Sequence, residues 1–234
     1  MSVFNFKYFS IHQAKSSMKV GTDAMLLGAF VDVSAQRNAL DIGAGTGVIS
    51  LMMAQRNNEL EITAVEIDQL AAEECALNFT RSSWNDRLTV IHLDIASLTT
   101  ETRFDLIVSN PPYYSSTLEN NDERKAQSRH VSALPIDDFF VKSTELLSEQ
   151  GDVWIIVPFS DRLKWINSAE QSHLFLKESI VISGKAEIPP NRIILHFSRE
   201  ATVSAAHYFT VRNADGSYTE EYRRLTIDYH SKAI

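Results

Sequence analysis

The tetrapeptide Asn110-Pro111-Pro112-Tyr113 has the residue types needed to hold a planar amino group. Two prolines stiffen the backbone and remove two N–H donors, so that carbonyl oxygens remain next to the Asn110 side-chain oxygen. Such a site is rich in acceptors, and Tyr113 adds an aromatic face on which a flat base or amide can stack. These four residues are therefore the candidate catalytic residues for reaction at a conjugated NH₂ group. A rigid turn after a strand is the alternative interpretation.

Three glycines at alternate positions, in the stretch Gly43-Ala44-Gly45-Thr46-Gly47, follow the acid Asp41. Glycine permits backbone angles that a Cβ forbids, and it lets the main chain lie against a ligand. Dinucleotide-binding loops usually have the spacing G-x-G-x-x-G and hold a pyrophosphate, whereas a carboxylate before the loop suits a ligand with a positive charge. S-adenosylmethionine carries a sulfonium and an α-amino group and meets that requirement. A dinucleotide site and a surface turn without a ligand are the alternatives.

Acids also follow the next two predicted strands. Glu66, with Ile67 beside it, lies 19 residues after Gly47, close to the spacing at which an acid binds ribose hydroxyls. Asp94 is placed to accept a hydrogen bond from an adenine amino group, and Ile95 to pack on the ring. Each acid alone is also a plausible helix cap. The recurrence of an acid at three successive strand ends favours a single cofactor site.

The elements that must position these residues alternate along the chain. Strand-helix alternation predicts a parallel sheet with helices on both faces, and ligands bind outside the carboxyl ends of such strands. We predict strands at 38–42, 61–66, 88–93, 104–109, 151–157, 175–182 and 193–197, helices at 22–33, 46–56, 69–82, 136–147 and 160–169, and a short strand or extended arm at 4–9.

The composition limits the classes of function. The chain has 234 residues, of which 44% are hydrophobic, and this fits one α/β domain. Cys75 is the only cysteine and the histidines are scattered, so we expect no disulfide and no metal site. No run is long enough to span a bilayer and the N-terminus lacks signal-peptide features, so we expect a soluble, cytoplasmic protein. The net charge of −8 argues against a large, diffuse nucleic-acid surface but allows a local basic patch.

These motifs resemble those of a known family. The stretch from Asp41 to Gly47 resembles the first motif of class I methyltransferases, and Asn110–Tyr113 resembles the amino-methyltransferase motif [DNS]-P-P-[YFW]. Met18-Lys19-Val20-Gly21-Thr22-Asp23 and the ending Tyr218-Thr219-Glu220-Glu221-Tyr222 are similar to bacterial valine-tRNA adenine-N6 methyltransferases. This similarity covers nearly the whole chain.

The resemblance implies a Rossmann-like α/β fold with a seven-stranded, mostly parallel sheet that ends in a reversed hairpin. It implies one domain, 1–234, with a cofactor-covering segment (1–36), a cofactor-binding core (37–160) and a C-terminal hairpin and tail (161–234). It also implies methyl transfer from S-adenosylmethionine to the adenine 3′ of the anticodon of a valine tRNA, by a monomer without metal. Near the methionine end of the cofactor it places Lys19, Gly21, Thr22 and Asp23.

A tRNA substrate requires a local basic footprint in this acidic protein. The polar segment 114–134 is long for a connection, so we expect a mobile lid or binding loop there. With Tyr113 it supplies the candidate substrate-binding residues Arg124, Lys125 and Arg129, although an ordinary solvated loop is an equal alternative because acids are interspersed. Further cations of the expected footprint are Lys7, Lys15, Lys19, Lys185 and Arg192.

Three other functions fit the same motifs. Glutamine-N5 methyltransferases of release factors use the same four-residue motif on a protein amide, but they normally carry a helical N-terminal domain, and only about forty residues precede Asp41. Ribosomal RNA guanine-N2 methyltransferases usually have a doubled domain and a different aromatic residue after the prolines. A non-catalytic RNA-binding or cofactor-binding module is the third alternative, against which the intact Asn110–Tyr113 argues.

Overall fold

The computed structural model describes residues 2–16, 18–112 and 134–231, which form an α/β architecture. The strands are Val3–Asn5 (β1), Ser10–His12 (β2), Asn38–Ile42 (β3), Glu61–Glu66 (β4), Leu88–His92 (β5), Phe104–Ser109 (β6), Leu147–Pro158 (β7), Phe175–Ser183 (β8), Arg192–Ser198 (β9) and Ala205–Thr210 (β10). The helices are Thr22–Phe30 (α1), Val48–Arg56 (α2), Gln69–Thr80 (α3), Ile136–Leu146 (α4), Arg162–Gln171 (α5) and Glu220–Thr226 (α6).

The central sheet has the strand order β10-β8-β9-β7-β6-β3-β4-β5. Strands β3, β4, β5, β6 and β7 run parallel to one another, whereas β9 pairs antiparallel with both β7 and β8. The predicted parallel sheet and its reversed hairpin are confirmed. Because β3, β4 and β6 run parallel, their carboxyl ends lie at one edge of the sheet. The strand order reverses at β3, and an α/β fold opens a crevice for ligands at that point of the edge.

Two hydrophobic cores cover the two faces of this sheet. Alternate side chains of β3 point to opposite faces, as a strand requires. Ala39 packs with α1, α2 and α3 in one core, and Leu40 and Ile42 pack with α4 and α5 in the other. Both faces of the central strands are therefore apolar, and helices cover each of them.

The sheet contains one strand more than the predicted seven among the described residues. The additional strand β10 pairs parallel with β8, with Ala205 opposite Glu178. Its first four side chains are exposed, so the apolar alternation by which strands are recognised is absent there.

The N-terminal residues form a small hairpin instead of a single strand or arm at 4–9. β1 and β2 pair antiparallel, with Val3 opposite His12. Phe6 bridges to His230, and the Lys7 N–H donates to the Tyr229 carbonyl at 3.0 Å. The hairpin therefore joins the C-terminal tail, and the chain that leaves β2 runs over α3 toward α1.

Candidate active site

The glycine loop lies at the end of β3 and adopts a conformation that needs glycine. Gly43, Gly45 and Gly47 have φ values of 71°, 55° and 78°, in the left-handed region that side chains with a Cβ rarely adopt. A Cβ on Gly47 would also lie 2.7 Å from the Cys75 sulfur and 2.6 Å from a ring carbon of Phe79. The predicted role of the glycines in a tight strand-to-helix turn fits this geometry.

Glu66, at the end of β4, fixes this loop. Its Oε2 accepts a hydrogen bond from the Gly45 N–H at 2.7 Å, and its Oε1 accepts one from the Asp68 N–H at 2.9 Å. Burial raises the pKa of the Glu66 carboxyl above its ordinary value. Asp68, and not Glu66, caps α3 by accepting from the Ala71 N–H at 2.8 Å. Glu66 therefore faces the loop with acceptor capacity left for a ligand hydroxyl.

Two adjoining cavities extend from this loop along the carboxyl ends of the strands. The smaller, of about 280 Å³, has a mixed lining that includes Lys19, residues 43–46, Glu66 and Asn110. The larger, of about 380 Å³, has a mostly apolar wall that also carries three acids, Asp94, Asp138 and Asp161. Gly43, Ile67 and Pro112 line both cavities. The two cavities are therefore the two halves of one groove, which we call the cofactor groove.

The larger half of the groove matches the chemistry of a purine. Ile67, Leu93 and Ile95 supply apolar surface for a ring, and Asp94 supplies a carboxylate. Asp94 Oδ1 also accepts from the Ala96 N–H at 3.0 Å, so the residue caps the short helical turn at Ile95–Ser97. Capping and ligand binding, which the sequence presents as alternatives, are compatible in this geometry.

The predicted catalytic tetrapeptide begins where the two halves of the groove meet. Asn110 lines the smaller half, Pro111 the larger, and Pro112 both. Ser109 precedes them and ties β6 to β3, because its Oγ donates to the Ile42 carbonyl at 2.8 Å. Tyr113 lies outside the described residues. The first three residues of the motif thus stand on a fixed strand end beside both halves of the groove.

Asp41 lies beneath the groove and does not line it. It is fully buried, and its Oδ2 accepts a hydrogen bond from the Ser50 Oγ at 2.7 Å. Its Oδ1 has no hydrogen-bond partner among the described residues. Burial raises the pKa of this carboxyl to about 7. The acid that precedes the glycines therefore sits between β3 and α2.

The residues near the start of α1 divide into two groups. Lys19 lines the groove, and its ammonium donates to the carbonyls of Gln13 and Ser16, the latter at 3.0 Å. Gly21 is the N-cap of α1, Thr22 is its first residue, and Asp23 pairs with Arg192 at 2.8 Å. Of the four residues predicted near the methionine end, only Lys19 is part of the lining.

The structure describes only some of the cations that are predicted to bind RNA. Arg124, Lys125 and Arg129, with the rest of the predicted lid, lie outside the described residues. Lys7 pairs with Asp228 at 3.2 Å, and Lys15 pairs with Glu73 at 2.8 Å. Lys7 and Lys15 are thus already paired with acids.

Sequence reasoning missed several residues of the groove. Ser16 and Met18, which precede Lys19, line its smaller half. Trp165 and Lys164 of α5 line its larger half, although the helical pattern around Trp165 indicates only core packing. No local signal marks these positions, because they reach the groove through the packing of distant elements.

Neither a metal centre nor a membrane segment is found in the part of the chain that the structure describes. No three His, Cys, Asp or Glu residues there are arranged to hold a metal ion. None of the helices described is both long enough and apolar enough to cross a bilayer.

The groove lies within a region that matches a known family. Residues 13–164 match the family model for the methyltransferase small domain. Over 231 residues the chain is 38% identical to the tRNA1(Val) (adenine(37)-N6)-methyltransferase of a Flavobacteriaceae bacterium (strain 3519-10), with 98% of this chain and 99% of that protein covered. The chain belongs to the tRNA1(Val) (adenine(37)-N6)-methyltransferase family.

Further relatives agree with this assignment. The tRNA1(Val) (adenine(37)-N6)-methyltransferase of Phocaeicola vulgatus is 38% identical over 227 residues, with 97% of each chain covered. Among solved structures, a predicted O-methyltransferase from Agrobacterium tumefaciens superposes with a TM-score of 0.69 at 17% identity, covering 91% of this chain and 99% of that one. This likeness concerns the fold alone, and it agrees with the Rossmann-like architecture expected from the sequence.

Proposed function

We propose that this protein transfers the methyl group of S-adenosylmethionine to the N6 amino group of an adenine in tRNA, the adenine 3′ of the anticodon of a valine tRNA. The observation that carries the proposal is the place of Asn110, Pro111 and Pro112 beside both halves of the groove. The relatives whose names state this activity match nearly the whole chain.

The residues of the groove fit S-adenosylmethionine. Lys19 and Glu66 supply polar groups in the smaller half, where a methionine carboxylate and ribose hydroxyls need them. Ile67, Asp94 and Ile95 supply an apolar wall and an acceptor in the larger half, where an adenine needs them. When bound, the cofactor supplies a methyl group on a positively charged sulfonium and leaves as S-adenosylhomocysteine.

Asn110 and Pro111 would hold the amino group that is methylated. The Asn110 Oδ1 and the Pro111 carbonyl would accept hydrogen bonds from its two N–H groups, which favours a pyramidal nitrogen whose lone pair is no longer delocalised into the ring. The methyl–sulfur bond would break as the methyl–nitrogen bond forms, and the methylated nitrogen would then release one proton to solvent. Orienting that lone pair is the main contribution of the site, because positioning and preorganised acceptors lower the barrier without a strong base. Tyr113 would stack on the base from the position after Pro112.

The tRNA itself would be bound by a local basic surface. The protein carries a net charge of −8, and Lys7 and Lys15 are paired with acids. The footprint therefore has to draw on the segment after Tyr113, with Arg124, Lys125 and Arg129. We further propose a cytoplasmic monomer that works without a metal ion.

The test is methyl transfer from labelled S-adenosylmethionine to total tRNA, set beside ribosomal RNA and release factors, with nucleoside analysis of the product. N6-methyladenosine in a valine tRNA is the expected product, and Asn110→Ala should slow its formation about 10²- to 10³-fold while the fold is kept. Label on protein glutamine, or N2-methylguanine in ribosomal RNA, would refute the proposed substrate. No label on any substrate would leave a binding module and refute the catalytic proposal.

A further inference from the structure

The chain between β2 and α1 forms one wall of the smaller half of the groove. Ser16, Met18 and Lys19 all line this half, together with the glycine loop. We call the described residues 13–16 and 18–20 the covering segment. None of these seven residues lies in a helix or strand, so their position depends on contacts with other elements.

Glu74 of α3 supplies the principal contact. Its Oε1 accepts from the Ala14 N–H at 2.6 Å and from the Lys15 N–H at 3.0 Å, and its Oε2 accepts from the Ser16 N–H at 2.8 Å. Three successive backbone N–H groups thus converge on one carboxylate. Glu74 is only 4% exposed, so water competes little for these charge-assisted hydrogen bonds.

Asn78 extends the same contact by one helical turn. Residues four apart share a face of a helix, and Asn78 is 1% exposed. Its Oδ1 accepts from the His12 N–H at 2.8 Å, and its Nδ2 donates to the carbonyls of His12 and Thr46 at 3.0 and 2.9 Å. Thr46 belongs to the glycine loop, and His12 directly precedes the covering segment. The Asn78 side chain therefore connects these two parts of the chain to each other.

Contacts inside the covering segment fix its shape but do not attach it. The Val20 N–H donates to the Gln13 Oε1 at 2.8 Å, and the Lys19 ammonium donates to the Gln13 and Ser16 carbonyls. The segment is therefore a preformed unit. Glu74 accepts most of its hydrogen bonds from the core, beside a hydrogen bond from the Gln13 N–H to the Ser2 carbonyl at 3.0 Å and the packing of Val20 on the core.

We infer that Glu74 is a positioning residue that sets the affinity for S-adenosylmethionine by holding the covering segment against the groove. The inference rests on the proposed function, because it takes the groove as the cofactor site. When only a fraction of the protein is competent to bind, the apparent Kd rises by the inverse of that fraction. Weakening the attachment so that about a tenth of the molecules keep the segment in place therefore raises the Kd about tenfold.

Glu74→Gln is the sharpest perturbation because it keeps the volume of the side chain. Only one glutamine oxygen can accept, so in either orientation the amide NH₂ faces the N–H of Ala14 or of Ser16, two donors in opposition. Glu73→Gln is the matched control. It makes the same charge change one residue away, and it removes an exposed ion pair to Lys15 of the same segment at 2.8 Å, which contributes little.

Three kinds of measurement are made on the wild type and both variants: hydrogen exchange of the amides of residues 14–16, the Kd of S-adenosylmethionine by calorimetry, and kcat and the KM for S-adenosylmethionine with tRNA as the methyl acceptor. Glu74→Gln is expected to lose amide protection and to raise the Kd and the KM for S-adenosylmethionine about tenfold, with kcat within about twofold. Glu73→Gln is expected to match the wild type. If Glu74→Gln does not fold, Glu74→Asp is measured in its place, because it keeps both acceptor oxygens on a shorter side chain. It is likewise expected to raise the Kd and the KM for S-adenosylmethionine while kcat changes little.

The outcomes separate this inference from the proposed function. Loss of protection at residues 14–16 with an unchanged Kd would overturn the positioning role while leaving the enzyme intact. A tenfold fall in kcat of Glu74→Gln with an unchanged KM for S-adenosylmethionine would also overturn the positioning role, because the substitution would then act on the reacting groups. A wild-type protein that shows protected amides but binds no S-adenosylmethionine would instead refute the proposed function, and the inference with it.

Discussion

Replacing Asp41 by asparagine is expected to raise the free energy of unfolding relative to the wild type, by an amount that grows as the pH rises. The Asp41 carboxyl is fully buried, with one hydrogen bond from Ser50, and burial raises its pKa from 3.8 to about 7. Between these values the folded protein holds a proton that the unfolded chain has lost. The free energy of unfolding therefore falls as the pH rises through this window. Asparagine has a similar shape and does not titrate.

The magnitude follows from the two pKa values. Each pKa unit corresponds to about 1.4 kcal/mol, so the interval from 3.8 to about 7 amounts to about 4 kcal/mol in full. Above pH 8 nearly the whole penalty is present, and below about pH 3 it is absent. From pH 5 to pH 8 the stability of Asp41→Asn relative to the wild type is expected to rise by about 3 kcal/mol. Any cost of the new amide is independent of pH and does not affect this slope.

Urea unfolding, followed by tryptophan fluorescence at constant ionic strength from pH 5 to pH 8.5 without cofactor, measures both proteins. The difference between the two curves isolates Asp41, because all other titrating groups are shared. Asp86→Asn, at an exposed position, controls for the loss of one formal charge. A difference that stays flat or shrinks as the pH rises would refute the reasoning, because it would mean that the buried carboxyl is ionised at little cost.

Three other experiments test the catalytic motif and the packing around the glycine loop. Asn110→Ala should lower kcat about 10²- to 10³-fold, the usual cost of one preorganised hydrogen-bonding group, with a smaller change in the KM for tRNA; an unchanged kcat would argue against the acceptor role. Gly47→Ala should lower the free energy of unfolding by about 1–3 kcal/mol, because it strains a φ of 78° and strikes Cys75. The control Gly184→Ala, where a Cβ meets nothing within 4 Å, should change the free energy of unfolding little, as measured by the same urea unfolding. The Cys75 thiol is buried and its pKa is raised well above the ordinary value, so a thiol reagent at pH 8 should label it only at the rate of unfolding; rapid labelling of the native protein would contradict the described packing.

Local sequence signals determined the sheet, the glycine loop and the strand-end residues. Strands at 38–42, 61–66 and 104–109 are short, largely apolar runs of the kind expected for strands buried on both faces, and the observed bounds agree. The left-handed φ values of Gly43, Gly45 and Gly47 follow from residue type. Because parallel strands end at one edge of a sheet, the order of elements alone brings Glu66, Asp94 and Asn110 to the same groove.

Tertiary packing decided how these residues are used. Asp41 and Ser50 form a buried pair across β3 and α2, so the acid of the motif supports the loop from below instead of lining the groove. The covering segment is held by Glu74, about sixty residues away in sequence, and a polar residue in a helix gives no sign of its distant partner. Strand β10 forms although its side chains are largely exposed, because its backbone pairs with the edge of β8. Short-range patterns record which residues favour a helix, a strand or a turn, whereas the partner of a buried charge depends on which distant elements meet.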